Sequence, residues 1–232
     1  IPPAILPEKW LSENYTRALT SLPFIKLYIN TALLILFRVL CALAFSSAAG
    51  YAFAKLSFPG KNALFTLVIV QMMLPSQIFI IPQYQMLAKL GLTNSIFALV
   101  FPGLVSAFGT FFLRQSYMGI PDELCEAARI DGMSEYRIYA KIMLPLSKPA
   151  LSTLAIFTFV NTWNDFLGPY IYLTTKVKKT IQIGLRVFMD DYTQEYGMIM
   201  AASVLSLIPV LIIFLSLQKN FVEGIASTGV KG

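Results

Sequence analysis

Segments that carry almost no charge recur along this sequence, and their length decides which folds are open to it. The runs 62–88, 90–113 and 196–218 contain no Lys, Arg, Asp or Glu. The segment 27–54 is interrupted by Arg38 alone. The segment 147–173 has Lys148 at its start and Asp165 as the one charge in its interior. A helix that crosses a bilayer needs about 20 apolar residues, and none of these segments alternates as a strand would. The sequence therefore predicts an all-α integral membrane protein, a bundle of five spanning helices.

The composition excludes several other classes of protein. Charged residues make up 13% of the chain and hydrophobic residues 56%, whereas soluble domains carry about 25% charged residues. The chain has no His, which removes His bases, Ser-His and Cys-His pairs and His-containing zinc sites. Its two Cys are far apart and form no C-x-x-C. We therefore predict no catalytic site, no metal site and no enzymatic activity for this chain.

The polar segments divide the chain. Residues 1–26 form a polar lead-in, 27–218 the membrane domain and 219–232 a tail, while 114–148 is a long loop in which basic and acidic side chains balance. The net charge of +6 is scattered between the apolar runs, which favours anchoring to membrane lipid over binding of nucleic acid. Lys and Arg are shared almost equally by the two sides, so the positive-inside rule does not orient the bundle.

The loop carries a compact local pattern. Asp122 precedes good helix formers over 123–130 and suits the positive end of that helix. Gly132 tolerates a positive φ and ends it. A second helix is expected over 135–143, closed by Pro145. The pattern predicts a helix, a turn and a helix that together present a small knob to a partner.

This segment resembles the EAA loop of binding-protein-dependent ABC importer permeases. The spacing of Glu-Ala-Ala, the following glycine and the Ile-x-Leu-Pro end matches that loop without a gap. The resemblance implies that 114–148 is cytoplasmic and docks in a cleft of the ATPase subunit. The residues it assigns to this contact are Glu126, Ala127, Ala128, Arg129, Asp131, Gly132, Ile142, Leu144 and Pro145.

Other stretches are similar to the carbohydrate branch of this family, of the second maltose-type permease subunit. They are 50–60, 72–95, 108–115, 163–165 and 221–232. The resemblance implies one half of a sugar pathway in a bacterial or archaeal cytoplasmic or inner membrane, with 1–26 outside and the tail inside. The implied partners are a second permease subunit, two ATPase subunits and an extracytoplasmic solute-binding protein. This chain has no P-loop, so ATP and Mg would be bound by the ATPase partners. Family members usually have a sixth, amino-terminal helix, which is not found here.

Polar side chains inside the apolar segments are expected to line the pathway or to hold the bundle together. An intramembrane carboxylate is a candidate functional group, and amides and an aromatic ring beside it suit a carbohydrate. The pathway candidates are Asn161, Trp163, Asn164, Asp165, Gln71 and Gln77. For Arg38 we expect an ion pair facing the bundle or a snorkelling role.

Three further expectations concern packing and function. Small residues recur every four positions and should let another helix approach closely; they are Ala42, Ser46, Gly50 and Ala54. Glu126 and Arg129 lie three apart and could pair on one helix face. The alternatives to a sugar importer are an ABC permease for a non-sugar solute and an ion-coupled secondary transporter. The second would require several buried carboxylates or two broken-helix repeats.

Overall fold

A computed structural model describes residues 11–175, 178–191 and 195–229, with side chains described except at 187, 214 and 216–229. Within these ranges every regular element is a helix. The α-helices are α1 (Glu13–Ser21), α2 (Phe24–Lys55), α3 (Lys61–Met73), α4 (Ile80–Lys89), α5 (Ile96–Val100), α6 (Ala107–Met118), α7 (Glu123–Ile130), α8 (Glu135–Ile138), α9 (Leu144–Leu146), α10 (Lys148–Trp163), α11 (Leu167–Tyr172), α12 (Ile181–Asp191) and α13 (Tyr196–Gly229).

Two helices are long and apolar enough to cross a membrane without a break. They are α2 and the Tyr196–Ile213 part of α13, and the count rises to at most five if each of three bent helix pairs is one span. At 1.5 Å per residue, the 32 residues of α2 extend about 48 Å, more than the roughly 30 Å of a hydrocarbon core. The all-helical membrane fold is confirmed. A count of five spans is reached only with the bent pairs, and the third pair, Glu135–Leu146 with Lys148–Trp163, begins before the predicted fourth span, 147–173.

The second predicted span is not one straight helix. α3 ends at Met73, a 3₁₀ turn covers Ser76–Phe79, and the two halves are bent by 102°. Leu74 has extended backbone angles because it precedes Pro75, whose ring disfavours the α conformation in the residue before it. The span predicted within 62–88 is therefore a bent pair of helices, and the proline that breaks it is visible in the sequence.

The third predicted span begins later than expected. Asn94 has a positive φ of 56°, and the Ser95 hydroxyl caps α5 by accepting a bond from the Ala98 N–H. The helix then bends by 43° before Ala107–Met118, and the Ser106 hydroxyl caps this second half by accepting from the Gly109 N–H at 2.9 Å. Two serine caps thus start two helical pieces where 90–113 was expected to form one.

The fourth predicted span, 147–173, is also interrupted. α10 ends at Trp163, and Asp165 lies between α10 and α11. Its Oδ1 accepts a hydrogen bond from the Gly168 N–H at 3.2 Å. Asp165 was expected inside a spanning helix; it instead occupies a break, where a carboxylate can satisfy free backbone N–H groups.

The polar end segments contain helical structure. The lead-in contains α1, and its residues 1–10 lie outside the described range. The segment between α11 and α13 contains α12, and α13 continues to Gly229, so helical backbone extends into the predicted tail.

The stripe of small residues on α2 packs against α6, as predicted. Ala42, Ser46 and Gly50 are buried. A methyl group on Gly50 would lie 3.0 Å from the Arg114 backbone nitrogen, and one on Gly109 would lie 2.9 Å from the Ser46 hydroxyl. The two helix axes approach so closely at these points that no larger side chain fits between them.

Candidate functional site

The loop between α6 and α10 has the predicted helix–turn–helix form. α7 ends at Ile130, and Gly132 has a φ of +76°, a conformation that costs glycine little. α8 starts after Ser134. The second helix does not stop at Pro145 as predicted, because a π-helical turn over Tyr139–Met143 and α9 carry helical backbone to Leu146.

Three side chains at one end of α2 hold this loop. The Lys55 ammonium donates to the Ile120 carbonyl oxygen at 2.6 Å and forms an ion pair with Asp122. The Tyr51 hydroxyl donates to Glu135 Oε2 at 2.7 Å. The loop is therefore tied to a spanning helix at the start of α7 and at the start of α8.

A third tie reaches the π-helical turn. The Ser47 and Tyr139 hydroxyl oxygens are 2.6 Å apart, and Ser47 lies on α2 two turns before Lys55. The Lys55 side chain is only 4% exposed, so its ammonium group needs its oxygen partners to offset the cost of burial. Because Asp122 bonds this ammonium group, the pKa of its carboxyl group is lowered from the ordinary value.

Arg129 forms an ion pair with Glu135 across the turn. The sequence had suggested Glu126 as its partner instead. Arg129 Nε lies 2.7 Å from Glu135 Oε1. The hydrogen bond from Arg129, and after it the one from Tyr51, lower the pKa of the Glu135 carboxyl. Because this pKa is lowered, the pair is complete above the ordinary carboxyl pKa and is lost as the pH falls through the lowered value.

Beneath the turn, an apolar cluster fixes the two short helices to the bundle. Ala128 of the Glu-Ala-Ala motif is 5% exposed, and Cys125, Ile138 and Met143 are buried beside it. Burial raises the pKa of the Cys125 thiol, so it serves as an apolar side chain here. Of the remaining motif residues, the half-buried ones are Ile142 and Leu144, and the exposed ones are Glu126, Ala127, Arg129, Asp131, Gly132 and Pro145.

Two apolar side chains stand out on the tip of the loop. Ile130 is 86% exposed and Tyr136 is 77% exposed, and neither was a candidate from the sequence. The exposure of Ile130 could have been predicted from the sequence, because Ile130 lies one turn from Glu126 and two turns from Glu123, on the hydrophilic side of α7. The tip therefore combines these apolar groups with the exposed charges of the motif, a surface suited to burial against another protein.

Removing the Tyr51 hydroxyl should loosen the loop. In Tyr51→Phe the ring stays in place, but Glu135 loses the hydrogen bond from the hydroxyl. A hydrogen bond to a charged group such as this carboxylate is worth about 1.5–3 kcal/mol. We expect backbone amides over 123–138 to exchange about tenfold faster or more, measured by hydrogen–deuterium exchange of the chain in nanodiscs. The matched control is Tyr136→Phe in the same loop, whose exposed hydroxyl makes no hydrogen bond within the described residues; equal exchange in both variants would contradict the anchoring role.

A second candidate site lies where the breaks after α3, before α6 and after α10 meet. It is an open cavity of about 450 Å³ beside Arg38, which lies near the middle of α2. The break after α3 contributes Leu74 and Ser76, the break before α6 contributes Ser106, and the break after α10 contributes Asp165. Broken helices at membrane depth are tolerated where they line a polar cavity.

Arg38 and Asp165 form an ion pair at this cavity. Arg38 Nη1 lies 2.8 Å from Asp165 Oδ2, and both side chains keep about a fifth of their surface exposed, 17% and 22%. Arg38 Nε also donates to the Leu99 carbonyl oxygen at 3.0 Å. The expected bundle-facing ion pair of Arg38 is confirmed, and its partner, which the sequence did not identify, is 127 residues away.

The cavity gathers four of the six predicted pathway residues. Gln71, Gln77, Asn161 and Asp165 line it. Trp163 does not: it is 6% exposed and packs among apolar side chains with its ring 6.5 Å from that of Tyr28.

Asn164 is also absent from the cavity lining. It is exposed, and its side-chain amide donates to the Val160 carbonyl oxygen. The prediction placed Trp163 and Asn164 in the pathway because they are close to Asn161 along the chain. In the structure, the helical turn directs their side chains away from that of Asn161.

Comparison with known proteins extends these observations. Residues 42–227 match the model of a family described as "Binding-protein-dependent transport system inner membrane component". The arabinooligosaccharides transport system permease protein AraQ of Halalkalibacterium halodurans is 41% identical over 194 residues, covering 84% of this chain and 70% of the relative.

Two further matches cover more of the chain. The sn-glycerol-3-phosphate transport system permease protein UgpE of Salmonella typhi is 33% identical, covering 98% of this chain and 84% of the relative. A crystal structure of a bacterial ABC transporter involved in the import of the acidic polysaccharide alginate contains a chain with a TM-score of 0.83 and 26% identity, covering 93% of this chain and 81% of that one.

Proposed function

The chain belongs to the family of binding-protein-dependent transport system inner membrane components, and from this premise we propose that it forms one half of the pathway of an ATP-driven importer for a sugar or oligosaccharide. The observation that carries the proposal is the polar cavity at the three helix breaks, beside a helix that also holds the exposed loop. The names of the AraQ relatives support a carbohydrate as the solute.

The exposed loop is the proposed contact with the ATPase subunit. Its turn is fixed by Gly132 and the Arg129–Glu135 pair, and its tip offers Ile130 and Tyr136 for burial. A cleft in the partner that closes on ATP would move this tip. Since the loop is held by α2 at several points, we propose that this movement switches the cavity between inward-facing and outward-facing states.

The complete transporter would contain four kinds of component besides lipid, of which this chain is one. A second permease subunit would supply the other half of the pathway, two ATPase subunits would bind ATP and Mg, and a solute-binding protein would deliver the sugar from outside. This chain would carry out no chemical reaction itself. We place it in the inner membrane as a multi-pass protein, with the loop on the cytoplasmic side.

A non-sugar solute is the second candidate. One relative that covers 98% of this chain is named for the transport of sn-glycerol-3-phosphate, so family membership is compatible with a small anion. The ion-coupled secondary transporter is less well supported, because Asp165 is held by Arg38, where a coupling site would need a carboxylate free to bind the ion.

Purification of the chain from its native membrane in mild detergent, followed by mass spectrometry, tests the proposed function. We expect a second permease and a P-loop ATPase to be recovered with it, and the purified assembly to take up labelled arabinotriose in proteoliposomes only when ATP and the binding protein are supplied. Uptake that ignores ATP and collapses with an uncoupler would contradict the proposal, and exclusive uptake of glycerol-3-phosphate would replace the sugar.

A further inference from the structure

The polar cavity contains a balanced pair of charges. Among the residues described as lining it, Arg38 and Asp165 are the charged ones, and their 2.8 Å contact cancels their formal charge. An anionic ligand would find the positive group already neutralised and would meet the Asp165 carboxylate at close range, where like charges repel. The charge balance therefore disfavours an acidic solute in this half of the pathway.

The other polar lining suits hydroxyl groups. Four side-chain amides face the cavity, from Gln71, Gln77, Gln83 and Asn161. An amide group donates and accepts hydrogen bonds, as a sugar hydroxyl does, whereas a carboxylate or phosphate only accepts. A wall of amides with no net charge therefore matches an uncharged, hydroxyl-rich ligand better than an anion.

Family membership leaves the charge of the solute open. The relatives are named for arabinooligosaccharides and for sn-glycerol-3-phosphate, and the structural neighbour is described as importing the acidic polysaccharide alginate. Both neutral and acidic solutes are present among these names, so the charge preference of this chain has to be inferred from its cavity.

On the basis of the proposed function, we propose that the Arg38–Asp165 pair makes this half of the pathway selective for uncharged saccharides over acidic ones. Asp165 is the residue that determines this selectivity, because its carboxylate neutralises the guanidinium group. Arg38 is also held by the Leu99 carbonyl, so removal of the carboxylate leaves a fixed positive charge beside the cavity.

Two single substitutions should shift the selectivity in opposite directions. Asp165→Asn leaves the positive charge of Arg38, and we expect the affinity for an acidic saccharide to rise about tenfold or more relative to a neutral one. Arg38→Gln leaves the negative charge of Asp165 and should lower that relative affinity by a similar factor. The double variant Arg38→Gln/Asp165→Asn has no net charge and should return to the wild-type preference.

The measurement uses the assembly of both permease subunits and the ATPase subunits, purified in nanodiscs without the binding protein. Thermophoresis gives the affinities for arabinotriose and for trigalacturonate, which have the same number of sugar units and differ in charge. We expect the wild type to prefer arabinotriose, and the gain of trigalacturonate binding in Asp165→Asn to shrink as salt is raised. Arg38→Gln tests the same charge effect should Asp165→Asn fail to assemble.

The possible results separate this inference from the proposed function. If the wild type binds arabinotriose but neither single variant changes the ratio of the two affinities, the pair is structural only and the inference is overturned. A wild type that prefers trigalacturonate overturns it as well. A wild type that binds neither saccharide overturns the inference. If it also shows no ATP-driven uptake, the proposed function is overturned as well.

Discussion

Replacing Gly132 with valine is expected to lower ATP-driven uptake about tenfold or more, while the chain still inserts in the membrane. The φ of Gly132 is +76°, and the left-handed region costs an ordinary residue roughly 1–2 kcal/mol and a β-branched residue more. A Cβ at this position would have no atom within 4 Å. The expected damage is therefore a distorted turn, which changes the angle between α7 and α8 and misplaces the exposed tip.

Gly60 provides a matched control for this substitution. Its φ is also +76°, and a Cβ added there would likewise meet no atom within 4 Å, but it lies in the turn between α2 and α3. Gly60→Val should impose a similar backbone strain and leave uptake within about twofold of the wild type once corrected for protein level. The measurement is uptake of labelled arabinotriose by proteoliposomes; equal losses in the two variants would show that strain alone, and not the position in the loop, lowers transport.

Replacing Gly50 with leucine is expected to prevent correct packing of the bundle. An added Cβ would lie 3.0 Å from the Arg114 backbone nitrogen and 3.1 Å from the Leu113 Cβ, and neither can move without shifting α6. Overpacking of an interior costs about 1–3 kcal/mol even where side chains can adjust, and here a backbone atom is in the way. We expect a large loss of folded protein, and the midpoint of thermal unfolding should fall clearly in what remains.

Ala48→Leu on the same helix is the control for this second substitution. Ala48 is exposed, so the same kind of increase in side-chain size meets no described helix of this chain. Size-exclusion chromatography of the solubilised chain, with a fluorescent tag, compares the two variants. Equal amounts of monodisperse protein from Gly50→Leu and Ala48→Leu would contradict the close approach of α2 and α6 described above.

The local part of the candidate site could be predicted from the sequence. The helix–turn–helix of the loop depends on residues that act on their immediate neighbours: a glycine that adopts a positive φ and a helix of good formers before it. The partner of Arg129 could not be predicted, because Glu126 and Glu135 are both near in sequence. Only the fold of the turn decides which carboxylate the guanidinium group reaches.

The sequence predicted the positions of the membrane segments better than it predicted where their helices break. Apolar length predicts that a segment lies in the bilayer, but a broken span and a straight one have almost the same composition. Pro75 was visible and breaks the helix; Trp163 ends one without any glycine or proline immediately after it. The Arg38–Asp165 pair joins distant parts of the chain, so its charges were visible in the sequence while their contact was not.

α2 differs from the other walls of the cavity in having no break. It carries Arg38 at the cavity and Lys55 at the loop, 17 residues apart, which is about 25 Å along a helix axis. Under the proposed function, a continuous helix of this kind couples the loop rigidly to the cavity. Thermodynamic linkage requires that binding at either site affects binding at the other equally. Binding of the loop by the ATPase and binding of sugar in the cavity should then change each other's binding constants by the same factor. Sugar in the cavity would therefore alter the affinity of the ATPase for the loop as much as the ATPase alters the affinity for sugar.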